Sequence, residues 1–458
     1  MSRVLFVDSL INREYEGHRA AMVSLVSALR SCGAEIKLKP FTLNNPKINY
    51  EDFRDSENSF ITDIANKSPD YDYLLVSGWT GSWNRTKQIA KVAKQKNPKI
   101  TVVIGGTHVD FVQMHRRSLQ NPLDILFQEI PEAEFFAYGE CEKTVVDLIR
   151  NGKIPKNNLR QLTGNLDDLP FPNLKSEELD GKRWAYVETA RGCIYRCDFC
   201  SETLKWSNSY RRKSPKRVAD EIDYYFSRGI SHFRFTDSSM TSNPNLEEIC
   251  EELINRGLHK AITWSGYARV NEVCEVPLEK MKEAGCETLL MGFESGSEKI
   301  LKQMRKGYKK SQAYSVVGEL KELGIKIRGS WIVGFPNESD DDFEETLSFA
   351  RDLNLDTNAV HAYENQAEKF RQYHFGTLDF ELDMPNEAFN EFVQKTNVTD
   401  ASTEMHYLAR LNLSNGGMLL SPRERVVFDK VKKFNESVSK IDQDYDTRDR
   451  YDRKIWEH

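Results

Sequence analysis

Twice along this chain, short apolar runs alternate with amphipathic stretches of helical period, and this double alternation constrains the fold more than any other feature. In residues 1–150 the runs Arg3–Asp8, Glu35–Phe41, Tyr71–Ser77, Ile100–Ile104 and Phe135–Tyr138 read as strands. His18–Cys32 carries apolar residues at helical spacing and stops at Gly33, and a further helix runs on from Glu140. Strands separated by helices predict a parallel, doubly wound sheet, in which ligands bind beyond the carboxyl ends of the strands.

A polar, Pro-containing connection over 151–182 reads as a linker. The second series occupies 183–365. Its strands are Tyr186–Thr189, His232–Asp237, Ala261–Ala268, Thr288–Phe293, Arg328–Val333 and Thr357–Ala362. Between them lie helices Lys216–Arg228, Leu246–Arg256, Pro277–Ala284, Ser311–Leu323 and Asp341–Leu353. Six units are fewer than the eight of a closed TIM barrel, so the pattern predicts an open, partial (β/α)6 barrel. Residues 366–458 are polar, helical in pattern and charged at their end, which predicts a small, mostly helical C-terminal region.

The 458 residues exceed one compact domain, and 39% hydrophobic residues suffice for real cores. A formal net charge of −6 argues against a general nucleic-acid binder. No apolar run is long enough to span a membrane, and the N-terminus lacks the pattern of a signal peptide. A cytoplasmic location follows as the expectation. In that reducing compartment a group of cysteines points to metal or catalysis rather than disulfides.

Three of the eight cysteines lie in one loop, Arg191-Gly-Cys193-Ile-Tyr-Arg-Cys197-Asp-Phe-Cys200, just past a strand. Soft thiolates suit zinc or an iron–sulfur cluster. Structural zinc takes four ligands, and no fourth Cys or His stands nearby at zinc spacing. Three ligands and an open position fit a 4Fe–4S cluster with one iron free for another ligand. The alternatives are a structural zinc loop or chance spacing. Cys32, Cys141, Cys250, Cys274 and Cys286 are scattered singly and read as small core residues.

The C-x3-C-x2-C spacing resembles that of the radical S-adenosylmethionine (SAM) superfamily, and the resemblance extends over 184–365. It implies that the open iron chelates the methionine moiety of SAM, and that one electron cleaves the cofactor to a 5′-deoxyadenosyl radical. It also implies cofactor contacts at successive strand ends. Phe199 matches the aromatic position near the adenine. Asp237 and Ser238 end the second strand, Arg269 the third, Glu294 and Ser295 the fourth, and Gly334 the fifth. Glu294 and Arg269 are the expected ribose and carboxylate contacts.

The first domain resembles the cobalamin-binding domain that precedes this barrel in a large subfamily. The matching residues are Ser77 after the third strand, Gly105, Gly106 and Thr107 after the fourth, and Gly139 and Glu140 after the fifth. Trp79 and Trp83 are candidates to face the corrin, with plain packing as the alternative. The loop after the first strand, Asp8-Ser-Leu-Ile-Asn-Arg13, has no His two residues after Asp8, and His18 is out of register. The resemblance therefore implies cobalamin bound without a protein His ligand, or else a remnant domain that binds none.

Three functions follow. The first is a cobalamin-dependent methyltransferase acting on an unactivated carbon of a small molecule or peptide, served by an external electron donor such as flavodoxin or ferredoxin. The second is a radical cyclisation, oxidation or rearrangement without methyl transfer. The third is an electron-transfer or sensing module with no catalysis. Tyr363 and His374, beyond the sixth strand, are candidate pocket residues.

Overall fold

The computed structural model describes residues 2–12, 18–42, 50–79, 82–114, 122–152, 162–200, 202–206 and 209–363, with 426, 429–430, 433–434 and 436–438. In the N-terminal sheet, β1 (Arg3–Asn12), β2 (Glu35–Thr42), β3 (Tyr73–Ser77), β4 (Thr101–Gly105) and β5 (Phe135–Phe136) lie in the order β2-β1-β3-β4-β5. Every pairing is parallel. The order reverses at β1, so the crevice beyond β1 and β3 is the topological switch point. Both faces of β1 are buried, which is why it reads as one apolar run. Val4 and Phe6 pack under helix Ala20–Ser31, whereas Leu5 and Val7 share a core with helices Tyr50–Lys67 and Trp83–Lys96.

The second sheet holds β6 (Trp184–Val187), β9 (His232–Phe235), β10 (Thr263–Ala268), β11 (Cys286–Glu294), β12 (Lys326–Val333) and β13 (Thr357–Ala362). They run parallel in the order β13-β12-β11-β10-β9-β6. This is the open six-stranded barrel that the alternation predicts. Phe233, Phe235, Trp264, Phe293 and Trp331 point outward under the helices, in the same continuous core as Val4 and Phe6. Trp184, Tyr267 and Leu290 form a separate cluster on the opposite face.

A two-residue antiparallel pair, β7 (Ala190–Arg191) with β8 (Arg211–Arg212), closes the base of the cysteine loop. The alternation gave no sign of this pair, because it is too short to carry a period.

The connection over 162–182 is stitched to both halves. Arg217 donates to the carbonyls of Leu169 and Pro170 at 3.0 Å each, and the amide of Asn173 donates to Ser27 Oγ at 3.0 Å. Arg30 pairs with Glu178 at 2.7 Å. Of the C-terminal region, Phe434 is fully buried with its ring 5.9 Å from that of Trp331. The rest of that region, including His374, lies outside the described residues apart from a few helical positions. Among the described residues no helix is long and apolar enough to cross a membrane.

Candidate active site

The cysteine loop leaves β6, passes through β7 and turns at Gly192. Gly192 has φ +101, and a Cβ there would stand 1.8 Å from the carbonyl oxygen of Ser209, so the loop can form only with glycine. Asp237, at the end of β9, braces this entrance. Its carboxylate accepts from the amides of Thr189 at 2.7 Å and Ala190 at 3.0 Å, and from the Thr189 hydroxyl. Burial pushes the Asp237 carboxyl up to about 6, against those hydrogen bonds.

Cys193, Cys197 and Cys200 sit near enough to act on one another electrostatically. Burial, opposed by local amide donors, raises the Cys193 thiol and pushes that of Cys200 up to about 12. Thiols so disfavoured as bare thiolates are ionised by binding a metal centre. Among the described residues no group of three or more His, Cys, Asp or Glu side chains is drawn together as a metal site. The remaining cysteines are free thiols. Cys250 and Cys286 are core residues as expected, Cys32 and Cys141 are half-buried, and Cys274 is exposed, contrary to the expectation of a core position.

A second wall comes from the turn after helix Glu298–Gln303. The amide of Asp198 donates to the Met304 carbonyl at 3.2 Å, and Cys197 Sγ lies 3.8 Å from the Arg305 carbonyl oxygen. Lys306 is buried, with Nζ 2.7 Å from Glu294 Oε1 and 5.7 Å from the Phe199 ring centre. Glu294 itself holds φ 66, at a register shift between β11 and β12. A non-glycine residue held there costs of order 1–3 kcal/mol and is typical of functional sites. A Cβ on Gly292 would come 2.1 Å from Glu294 Oε1, so that glycine leaves room for the ion pair. Lys306 escaped the sequence reading because a lysine in a turn beside Gly307 looks like solvated surface charge.

Arg269 is buried at the end of β10 and points at the loop. Its Nη1 donates to Cys197 Sγ at 3.1 Å, its Nη2 donates to the Lys306 carbonyl, and its guanidinium stacks 3.7 Å over the Tyr195 ring. Of the other predicted positions, Ser238 is half-buried and donates to Glu202 at 2.5 Å. Ser295 is fully buried and bonds Thr346 at 3.1 Å. Gly334 has φ +78, and its amide donates to Glu338 at 2.8 Å. Phe199 packs with Ile300, Met304, Ile332, Phe335 and Tyr363. The structure thus brings Arg269 to Cys197 and sets Phe199 beside the Lys306–Glu294 ion pair, whereas Asp237 and Ser295 are engaged internally.

In the first domain, the carboxyl ends of β3 and β4 meet backbone to backbone. Gly106 has φ +97, and a Cβ there would stand 2.6 Å from the Gly78 carbonyl oxygen and 3.1 Å from Ser77 Oγ. The Gly78 amide donates to Gly105 at 2.8 Å, and Thr107 opens the next helix, exposed. Gly78 belongs to this cradle although only its neighbours were singled out from the sequence. Trp79 is half-buried just beyond β3. Trp83 is plain packing: it is fully buried, 4.1 Å from the His108 ring, and its indole donates to Glu129 at 2.5 Å. His18 is buried, and desolvation, with Lys182 nearby, lowers its pKa.

Polar groups of the loop after β5 are engaged within the chain. The Gly139 amide donates to Asp110 at 2.6 Å, while the buried Glu140 carboxylate pairs with Arg211 and, at 3.3 Å, with Arg191. Arg191 also reaches Glu142 and Glu188 at 2.8 Å each. Because Arg191 immediately precedes Gly192, this cluster ties the first domain to the root of the cysteine loop.

The Radical SAM superfamily profile matches residues 187–350. A Pyrococcus horikoshii protein described as an uncharacterized methyltransferase is 30% identical over 328 residues, 66% of this chain and 69% of its own. The chain belongs to the radical SAM superfamily. An anaerobic magnesium-protoporphyrin IX monomethyl ester cyclase of Rubrivivax gelatinosus is 28% identical over 295 residues, 59% of this radical SAM chain and 52% of its own. Among solved structures, TsrM of Kitasatospora setae, a radical SAM methyltransferase with cobalamin and a 4Fe–4S cluster bound, is similar at a TM-score of 0.63 and 18% identity. The match covers 81% of this chain and 78% of TsrM, and at that identity it speaks to the shared fold.

Proposed function

We propose that this radical SAM enzyme is a cobalamin-dependent methyltransferase acting on an unactivated carbon of a small molecule or peptide. The observation that carries the reading is the pairing of two sites. Three thiols cross the carboxyl end of an open barrel, and a glycine cradle caps the carboxyl end of a doubly wound sheet. The methyltransferase relatives and the fold shared with TsrM support it.

When bound, the cluster with SAM supplies a carbon-centred radical and cobalamin supplies a methyl carrier. The chain's own residues do the rest. Cys193, Cys197 and Cys200 hold the cluster. Glu294, oriented by Lys306, is aimed to accept from the ribose hydroxyls, and Phe199 walls the adenine side. Gly105 and Gly106 let the ends of β3 and β4 close backbone to backbone, and this close-packed cradle would receive the nucleotide tail of cobalamin, with Ser77, Trp79, Thr107 and Gly139 around it. Cobalamin is read as bound without a protein His ligand, since His18 is buried beside Lys182. A flavodoxin- or ferredoxin-type protein supplies the electron.

Anaerobic reconstitution with cobalamin, reductant and SAM tests this reading. Corrin absorbance that stays with the chain on gel filtration, with 5′-deoxyadenosine and S-adenosylhomocysteine both formed, is the expected result. The cyclase relative favours a second reading without methyl transfer. 5′-Deoxyadenosine without S-adenosylhomocysteine would shift the assignment to it.

A further inference from the structure

Arg269 was expected at the SAM carboxylate, yet its guanidinium is already committed. Nη1 donates to Cys197 Sγ at 3.1 Å, Nη2 to the Lys306 carbonyl, and Nε to Asn271 Oδ1 at 3.3 Å. The flat face covers Tyr195 at 3.7 Å, and the Tyr195 hydroxyl accepts from Asn271 Nδ2 at 3.0 Å. The Arg269 amide donates to the Thr241 hydroxyl at 3.3 Å. A side chain fixed at so many points, and only 7% exposed, cannot swing freely to a ligand.

We infer that Arg269 is a positioning residue for the cluster: through its N–H···S bond to Cys197 it sets the reduction potential of the iron–sulfur centre. Cluster potentials follow net charge and the hydrogen bonds made to the sulfurs. Reduction adds one electron and so one negative charge. A buried cation donating to a ligand thiolate stabilises the reduced form and raises the potential.

An opposing charge is linked to Arg269 through Tyr195 and Thr241. Glu272 is buried and accepts from Ser239 at 2.6 Å, from Thr241 at 2.5 Å, and from Ser242. It also bonds the Tyr195 hydroxyl. Arg269 and Glu272 thus form a short charge ladder leading away from Cys197. Neutralising its two rungs moves the potential in opposite directions, which simple loosening of the loop would not do.

The inference rests on the three thiols holding a cluster, and iron and sulfide content of the reconstituted full-length protein tests that premise separately. The inference itself is tested by redox titration of that protein without SAM, following the reduced cluster by electron paramagnetic resonance. Arg269→Gln removes a charge-assisted hydrogen bond, so at a fixed poise its reduced-to-oxidised ratio should fall about tenfold, which is 59 mV for one electron. Arg269→Lys keeps the charge and should fall less. Glu272→Gln keeps hydrogen-bonding capacity and should move the ratio upward. If Arg269→Gln retains a full cluster at the wild-type potential, the inference is wrong. Should Arg269→Gln lose the cluster, Glu272→Gln decides: an unchanged or lowered potential overturns the inference.

Discussion

Gly192→Ala is the sharpest test of how the cysteine loop is built. An alanine at φ +101 carries a left-handed penalty of about 1–2 kcal/mol. The larger effect is steric. The new Cβ would stand 1.8 Å from the Ser209 carbonyl oxygen, where ordinary contact begins at 3.4 Å, so one backbone must retreat by roughly 1.6 Å. Ser209 directly precedes Tyr210 and β8, and a retreat of that size opens the two-residue β7–β8 pair. Losing its hydrogen bonds costs about 1 kcal/mol each. The local cost of roughly 3–4 kcal/mol falls at the root of the loop, away from both parallel sheets. Iron bound after anaerobic reconstitution should drop from about four per chain to below one, while the midpoint of thermal unfolding moves by only a few degrees. Gly181→Ala is the control, since φ is +70 there and a Cβ would meet nothing within 4 Å. Full iron loading of Gly192→Ala, or equal loss in both variants, would refute the reasoning.

Two further outcomes are expected. Gly106→Ala forces a Cβ to 2.6 Å from the Gly78 carbonyl oxygen and separates the ends of β3 and β4, so cobalamin titrated by absorbance should bind at least about tenfold more weakly. Gly33→Ala, with φ +87 and open space, should bind as wild type. At the cap of helix Asp340–Leu353, burial opposes ionisation of Asp342, but Lys299, Ser297 and Ser339 outweigh it and hold the carboxyl well below the usual range. A depressed carboxylate stabilises the fold fully above its unfolded pKa, and that stability is lost as pH falls through the folded one. Asp342→Asn should therefore lose about 1–2 kcal/mol at pH 7 by urea unfolding, with the gap narrowing below about pH 4. A gap that does not change with pH would count against this.

The strand framework was legible where strands bury both faces and read as apolar runs, as β3, β4 and β6 do, whereas β2 alternates exposed and buried residues. Thr357–Ala362 has the predicted bounds, and Ala261–Ala268 and Tyr71–Ser77 each begin two residues later than the pattern suggested. The place of the cysteine loop, just past the first barrel strand, was legible in the sequence. What escaped was set by tertiary contact. Lys306 gains its place from Glu294 across a turn, β7 and β8 are too short to show a period, and Trp83 turns into the core against His108. Glu140 matched a cofactor position by sequence, yet its carboxylate is occupied by Arg191 and Arg211. A side chain's partner, unlike its periodicity, is not written in its neighbours.

The Arg191 cluster bears on how such a chain can be divided. A boundary drawn through the connection between the sheets looks like a natural cut, one that would yield two separable modules. Either piece would then carry charges whose partners lie on the other. The front piece would keep the Glu140 and Glu142 carboxylates, and the rear piece the Arg191 and Arg211 guanidiniums. Removing one side of a buried ion pair typically costs 3–5 kcal/mol, a large fraction of what holds a domain of this size together. Recombination that exchanged one half for a foreign counterpart would meet the same penalty unless the graft also brought matching acids. A cut at that connection is therefore expected to destabilise both pieces, and the half with the cysteine loop should keep its geometry only with its companion attached.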